Sequence, residues 1–461
     1  MNGIVPIKIK MAKVVPIFKK GDADNPANYR PISVLPYFAK YFEKIVYDRL
    51  SNYINSFNLI HQTQHGFQQG HSTYMALLDM EDRITKAIDA NEYSVGIFID
   101  LAKAFDTVDH VILLKKLENF GIRGPTLKWF HSYFQDRTQK VLCNDVLSEG
   151  RKILYGVPQG SNLGPLLFLL YINDLAMISK NLYFILFADD TNIFFAHHSW
   201  QTLMQIINNE LKLVNNWFSA NRLTLNIDKT NFILFRSHRK ITPIDITLEM
   251  AGSPLSQVES VKFLGVTVDS HLSWRDHINS IAQKIAKSIG ILNRISHLLP
   301  EAAKLNLYYS LILPYLSYCN MIWASNYDSR INKLIILQKK AIRIIAGVPK
   351  GTHTNLIFKK LNLLNLKQLR SVQIGDFIYR FQHNILPSLF HNYFSAGSQI
   401  HSHNTRNAPF LRSAKARTNS RAFSMKFYGP NLWKTIPLDI RLAPNTYLFK
   451  TRFKSYLLSN T

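Results

Sequence analysis

A chain of 461 residues with 47% apolar and 18% charged side chains has globular composition and room for about two to four structural units, which excludes a disordered or fibrous protein. Lys and Arg outnumber Asp and Glu by 55 to 30, giving a formal net charge of +25, and an excess of that size implies a polyanionic partner rather than solubility alone. No apolar run reaches the ~18 residues of a membrane span and the N-terminus lacks the order of a secretory signal, so the expected polyanion is nucleic acid, with no membrane, and the chain is expected to be intracellular, nuclear or cytoplasmic.

In chain order, basic loops come first, then a helix over 36–57 and an acid-rich helix over 74–90. Ser94 to Ile99 reads as a short buried strand with Asp100 at its C-terminal end. Asp109 is suited to cap a helix over 110–120, and Gly121 to stop it. The turn Gly156-Val157-Pro158-Gln159-Gly160-Ser161, followed by Gly164-Pro165, opens an apolar helix over 166–175 and suits close approach by a substrate. Two apolar strands, 182–187 and 191–195, are joined through Ala188-Asp189-Asp190 as a β-hairpin with two carboxylates at its tip. Asp pairs also occur in turns for backbone reasons alone, so this pair does not by itself mark a site.

Leu203, Ile207, Leu211, Val214 and Trp217 give the spacing of a core helix over 200–218 and carry no chemistry. Ile278, Ile281, Ile285 and Ile289 continue a helical pattern that runs from 273 to about 349. Beyond Gly351 the acidic residues are Asp376 and Asp439 alone, among many Lys and Arg. Cys143 and Cys319 are too few for a thiolate zinc site or a disulfide framework, so a reducing compartment and oxygen-held metals, Mg²⁺ or Mn²⁺, are expected.

Taken together the segments resemble the reverse transcriptases of non-LTR retrotransposons, the jockey-like elements in particular. The resemblance rests on Asn28-Tyr29-Arg30-Pro31-Ile32-Ser33, Phe98-Ile99-Asp100 through Phe105-Asp106, Pro158-Gln159-Gly160-Ser161, and Phe187-Ala188-Asp189-Asp190. Leu223-Thr224-Leu225-Asn226 through Lys229-Thr230 and Phe263-Leu264-Gly265-Val266 complete it in the same order. It implies an α+β right-hand polymerase: fingers over 1–92, a palm on an antiparallel sheet with part of the fingers over 93–270, a helical thumb over 271–350, and a basic, mainly helical extension over 351–461.

The resemblance further implies RNA-directed DNA synthesis on template RNA and primer or target DNA, using deoxynucleoside triphosphates. Asp100, Asp189 and Asp190 would hold two Mg²⁺ ions, with Mn²⁺ an alternative, about 4 Å apart. Arg30 would grip the incoming triphosphate, with Lys20 a second candidate, and Phe105 would exclude a ribose 2′-hydroxyl. Gln159 and Gly160 would lie against the template and the nascent base pair, Lys229 would protonate pyrophosphate, and the turn at Phe263-Leu264-Gly265 would support the primer end. Asp106 and Asp109 read as structural.

The basic tail, with Tyr308, Tyr309, Tyr379 and Phe381 interleaved among the cations, would suit RNA or DNA. It has too few acids for a ribonuclease H centre, and none is expected. Relatives usually carry an endonuclease and more fingers residues ahead of the first segment, so the fingers are expected to be N-terminally incomplete. A binding protein that keeps the fold but makes no DNA is the alternative.

Overall fold

Val95, Ile97 and Ile99 alternate with Phe98 on the strand Tyr93–Ile99, and all four are buried, so the strand must be covered on both faces. It is the centre of a five-stranded sheet whose order is Ser256–Gln257, Asn231–Phe235, Tyr93–Ile99, Asp190–His197 and Tyr183–Phe187. The last four are antiparallel neighbours, and the short first strand runs parallel to Asn231–Phe235. This is the computed structural model of the chain, and it describes residues 3–237, 239–240, 247–395, 411–412 and 415–460.

One face of the sheet, with Val95, Ile97, Ile99, Phe184 and Ile193, packs on the helices His110–Asn119, Gly164–Ile172 and Trp200–Ala220. The other face, with Phe98, Ile185, Phe194, Ile233 and Phe235, packs on the acid-rich helix Thr73–Asp89. Gly96 lies between two aromatic rings on this second face: a Cβ there would meet the side chains of Phe235 and Phe194 at 2.7 and 2.8 Å. Helix Thr73–Asp89 shares its cluster with the long helices Arg275–Ile295 and Asp328–Ala346, on which Ile278, Ile281, Ile285 and Ile289 are all buried as their spacing predicts. Asp109 caps its helix by accepting from the Val111 and Ile112 amides, and Gly121 follows at φ +88°.

The loops expected before residue 36 are instead strands. Met11–Phe18 pairs antiparallel with Tyr29–Val34 and, over Met11 to Val14, parallel with Thr138–Cys143. Ala12 and Val14 are buried while Lys13 between them is exposed, a two-residue period that the surrounding lysines mask in the sequence. Pro16 lies opposite Pro31, just beyond the residues that need a second hydrogen-bonding neighbour, where a missing N–H costs nothing.

The described part of the region after Gly351 is a folded layer. Its helices Leu366–Gln382, Met425–Thr435 and Thr446–Ser459 complete the same hydrophobic cluster as Thr73–Asp89. This overturns the expected role of two aromatics. Tyr308 and Tyr379 are 0% and 1% exposed, their hydroxyls engaged by the Gln338 side chain and the Ala443 carbonyl, so neither can stack on a base. Phe381 is half-buried against the cluster, and Tyr309 remains exposed. No helix among the described residues is long and apolar enough to cross a membrane. Both cysteines are free thiols.

Candidate functional site

The sheet register decides which carboxylates meet. Ile99 pairs with Thr191, so one further step sets Asp100 opposite Asp190, and Phe187 pairs with Asp190 to leave Ala188 and Asp189 as a two-residue turn. Directly opposed residues on antiparallel strands have Cβ atoms roughly 5 Å apart, so like charges there repel. Asp189 and Asp190 keep contact with solvent, yet protein surrounds them on several sides. Asp190 is pushed up to about 6, first by loss of water and then by the negative charges of Asp189 and Asp100. Asp189 is also raised, by burial foremost and by Asp100, against the opposing pull of Arg30 and Lys19.

The segment 223–230 supports Asp100 from the other side. Thr230, fully buried, accepts from the Asp100 amide through Oγ1 at 3.3 Å and donates to the Asn226 carbonyl at 2.9 Å. The Asn226 amide donates to the Asp100 carbonyl at 2.9 Å, and the Ala102 amide to the Thr224 carbonyl at 2.9 Å. Lys229 lies 3.8 Å from Asp100 Oδ2, with both side chains open to solvent.

Arg30 projects from the face of its strand that also carries Ile17 and, through the Lys19 amide to Asn28 carbonyl bond, Lys19. The charges acting on Asp189 are therefore those of Arg30 and Lys19, whereas Lys20 follows on the alternate side at a bend before Gly21. Period-two pairing with Asn28 distinguishes the two lysines, and it is invisible without the strand.

Gln159 is half-buried, and its side-chain nitrogen donates to both carboxylate oxygens of Asp106 at 2.9 and 3.0 Å. Its carbonyl accepts from the Ser33 amide at 2.7 Å. Gly160 stands exposed at φ +106°, where a Cβ would come within 2.9 Å of the Ser33 carbonyl oxygen. The turn thus ties the Arg30 strand to the segment after Asp100, and Asp106 serves as its anchor, in keeping with a structural part. Phe105 is half-buried, stacked on Phe168 with centroids 4.6 Å apart and edge-on to Phe67 at 6.4 Å, so its ring is firmly backed. Asp109 is occupied by its helix cap and by Arg222 at 2.7 Å.

The Phe263-Leu264-Gly265 turn joins the strands Ser260–Phe263 and Val266–Asp269, with φ of +44° and +81° at its two central residues. Phe263 packs edge-on to Phe98 with centroids 6.0 Å apart, and the Leu264 carbonyl accepts from the Tyr318 hydroxyl at 2.7 Å. It is tied to both the sheet and the helical layer.

The chain matches the family model for reverse transcriptase (RNA-dependent DNA polymerase) over residues 17–268, more than half of its length. The chain belongs to the reverse transcriptase family. Among curated proteins it is 29% identical over 367 residues to a protein of transposon X-element from Drosophila melanogaster, covering 78% of this chain and 40% of the relative. It is 27% identical over 376 residues to the RNA-directed DNA polymerase from mobile element jockey of the same organism, covering 79% and 40%. The chain thus spans about two-fifths of the length of these relatives. A solved Candida tropicalis telomerase structure aligns over 80% of this chain and 62% of its own at 13% identity and a TM-score of 0.42, a likeness too loose to assign a fold by itself.

In a reverse-transcriptase frame, the fit of a divalent ion follows from the donor set. Asp100 and Asp189 sit close enough to raise Asp190, Asp100 also raises Asp189, and hard oxygen donors suit Mg²⁺. Among the described residues no three His, Cys, Asp or Glu side chains enclose a point as a ready-made cage. Two cavities of about 240 and 170 Å³ lie elsewhere, beside Arg370 and Tyr428 and beside Glu81 and Trp274, and the Asp189 and Asp190 side chains are exposed.

A stability measurement checks the crowding. Because Asp190 holds its proton up to about 6 against an ordinary value near 3.8, the folded chain binds that proton more tightly than the unfolded chain. Its contribution to stability is largest below the ordinary value and is lost as pH rises through about 6. In metal chelator, Asp190→Asn should therefore melt higher than the parent at pH 7.5 and alike at pH near 4, as read by thermal denaturation across pH. Equal melting temperatures at both would contradict the crowding.

Proposed function

We propose that this chain adds deoxynucleotides to a primer on an RNA template, by nucleotidyl transfer at Asp100, Asp189 and Asp190. The observation that carries the reading is the convergence of these carboxylates on adjacent strands while Arg30 and Lys19 act on the same group from the N-terminal sheet. One electrostatic locus thus combines an anionic pole for metal ions with a cationic pole for a triphosphate. Divalent ions bound there would make the primer hydroxyl a better nucleophile and offset charge on the phosphates.

The chain's own groups do the rest. Arg30 presents a forked guanidinium to the triphosphate, Lys19 adds charge beside it, and together they orient the phosphate for in-line attack. Lys229, 3.8 Å from Asp100, would give a proton to departing pyrophosphate. The Phe105 ring, held by Phe168, occupies the room a 2′-hydroxyl would need. The net charge of +25 supplies the phosphate attraction that a template–primer duplex requires. We read the fingers as 1–92, the palm as 93–270, the thumb as 271–350 and the extension as 351–461.

The direct test is primer extension on an RNA template with Mg²⁺ and deoxynucleotides. Labelled product that lengthens with time supports the reading; tight template binding without extension would leave a nucleic-acid-binding protein instead.

A second measurement tests the sugar gate. Phe105→Ala should raise the ratio of ribonucleotide to deoxynucleotide incorporation while deoxynucleotide addition falls modestly. A merely structural ring would depress both substrates together, since removing it takes a partner from Phe168. The ratio separates the two cases even in a weakened protein.

A further inference from the structure

We propose that Gln64 is a positioning residue whose side-chain oxygen fixes the tip of the carboxylate hairpin, a role that rests on the polymerase reading above. The tip is under strain. Of the two turn residues Ala188 alone has a positive φ, +56°, in a hairpin geometry that ordinarily takes glycine at that place. A residue with a Cβ held there is strained and persists only where its surroundings impose it.

The surroundings here come from one segment. Thr63, Gln64 and His65 are each 1% exposed and run beside the outer strand of the sheet: the Leu186 amide donates to the Thr63 carbonyl at 3.0 Å, and the His65 amide to the Leu186 carbonyl at 2.7 Å. From that position Gln64 Oε1 accepts from the Ala188 amide at 3.0 Å and from the Gly66 amide at 2.8 Å. Two N–H groups aimed at one atom require that atom to be the oxygen, which fixes the orientation of the side-chain amide. Among the described residues Gln64 Nε2, also buried, has no acceptor, so the side chain serves its site through the oxygen.

Gly66 closes the arrangement. A Cβ on it would run into the Ala188 amide nitrogen and come within 3.0 Å of the Phe187 carbonyl carbon. The segment therefore presses on the turn and hydrogen-bonds it at the residue immediately before Asp189. Without the oxygen, the Ala188 amide loses its partner in a buried place and the turn is free to relax toward a commoner geometry. Asp189 and Asp190 would then swing relative to Asp100, and displacements of about 1 Å at reacting groups can cost on the order of a hundredfold in rate.

Amide hydrogen exchange on the chain without metal or template reads the clamp itself. In Gln64→Met, similar in length but lacking the oxygen, the Ala188 amide should exchange about tenfold faster while Ile97 and Ile193 in the same sheet keep their rates. Gln64→Glu, which retains an acceptor oxygen, should keep the protection. In primer extension Gln64→Met should lower kcat by about tenfold or more while KM for deoxynucleotide changes little. Unchanged Ala188 exchange in Gln64→Met, a uniform rise across the sheet, or lost protection in a folded Gln64→Glu overturns the proposal. So does an unchanged kcat once the amide is freed. Protection of Ala188 in a wild-type chain that fails to extend primers would count against the polymerase reading and leave the clamp standing.

Discussion

Asp189→Asn lowers primer extension by about three orders of magnitude or more, and Asp100→Asn does the same, with affinity for a template–primer duplex nearly unchanged. The expectation follows from where each interaction acts. A carboxylate that holds a metal ion stabilises charge developing in the transition state, whereas duplex affinity comes from phosphate contacts spread over a basic surface. Asn keeps the size of the side chain and its place in the turn, so the substitution removes charge with little change of shape. It also relieves repulsion, since Asp189 is raised by burial and by Asp100. The variant should therefore be at least as stable as the parent while being inactive, a combination that misfolding cannot produce. Asp190→Asn should lose less activity, because the turn projects Asp189 toward Arg30 and Lys19 whereas Asp190 lies within the strand. Extension by Asp189→Asn at near the parental rate would remove the site assignment.

The second large effect concerns the C-terminal layer. Arg421→Ala should destabilise the chain by about 3–5 kcal/mol, because it breaks a buried ion pair from one side. The Arg421 side chain is 6% exposed and donates to Asp82 Oδ1 at 2.6 Å, to the Asp82 carbonyl at 2.8 Å and to Thr85 Oγ1 at 2.9 Å. Nearby, Arg417 donates to the Ile88 and Asp89 carbonyls, and the Thr418 amide to Asp89 Oδ1, so cations satisfy the last turn of the helix where its dipole favours them. Glu81, beside them and fully enclosed, is pushed up to about 8 by burial first and then by Asp82, against the opposing pull of Arg421 and Arg370. Among the described residues, removing Arg421 would leave Asp82 with the more distant Lys426, at 3.7 Å, as its ion-pair partner, and would raise Glu81 further.

The consequence extends to the sheet. Helix Thr73–Asp89 holds the outer hairpin strand through Asp79, which accepts from the Tyr183 hydroxyl at 2.8 Å, so a loosened helix also weakens the support of Asp189 and Asp190. Chemical unfolding, together with proteolysis of the region after Arg417, measures the effect; parental stability and protease resistance would show that the ion pair is dispensable. Truncation at Gly351 tests something different from RNA affinity, since it removes part of a shared hydrophobic cluster.

Much of the architecture was legible in the residues. The buried strand before Asp100, the carboxylate hairpin, the Asp109 cap and the isoleucine-lined helix are all local patterns in which periodicity or one capping side chain dominates, and all are present. The places of the three aspartates at strand ends followed from the local pattern, whereas their proposed metal-holding role came only with the resemblance. The resemblance added the order of the segments, and the match over residues 17–268 agrees with it.

Other features depended on contacts distant in sequence. Alternation in Met11–Phe18 is hidden by Lys13, Pro16 and the flanking lysines, and its strand character comes from partners at 29–34 and 138–141. That pairing, in turn, is what selects Lys19 over Lys20 as the neighbour of Arg30. Tyr308 and Tyr379 read as exposed aromatics among cations, but burial is a property of what packs over a residue, and here Gln338 on the helix Asp328–Ala346 meets Tyr308 while Phe449 on the helix Thr446–Ser459 stacks on Tyr379. Gln64 carries no signal of its own, since a glutamine two residues before a glycine has no preferred role until a hairpin 124 residues away presents an amide to it. Composition and local period determined most of the elements and the strand-end places of the acids in this chain; only the tertiary structure decided which side chains hold those acids in place, because hydrogen-bond partners and buried neighbours are assigned by the packing of segments that the sequence keeps far apart.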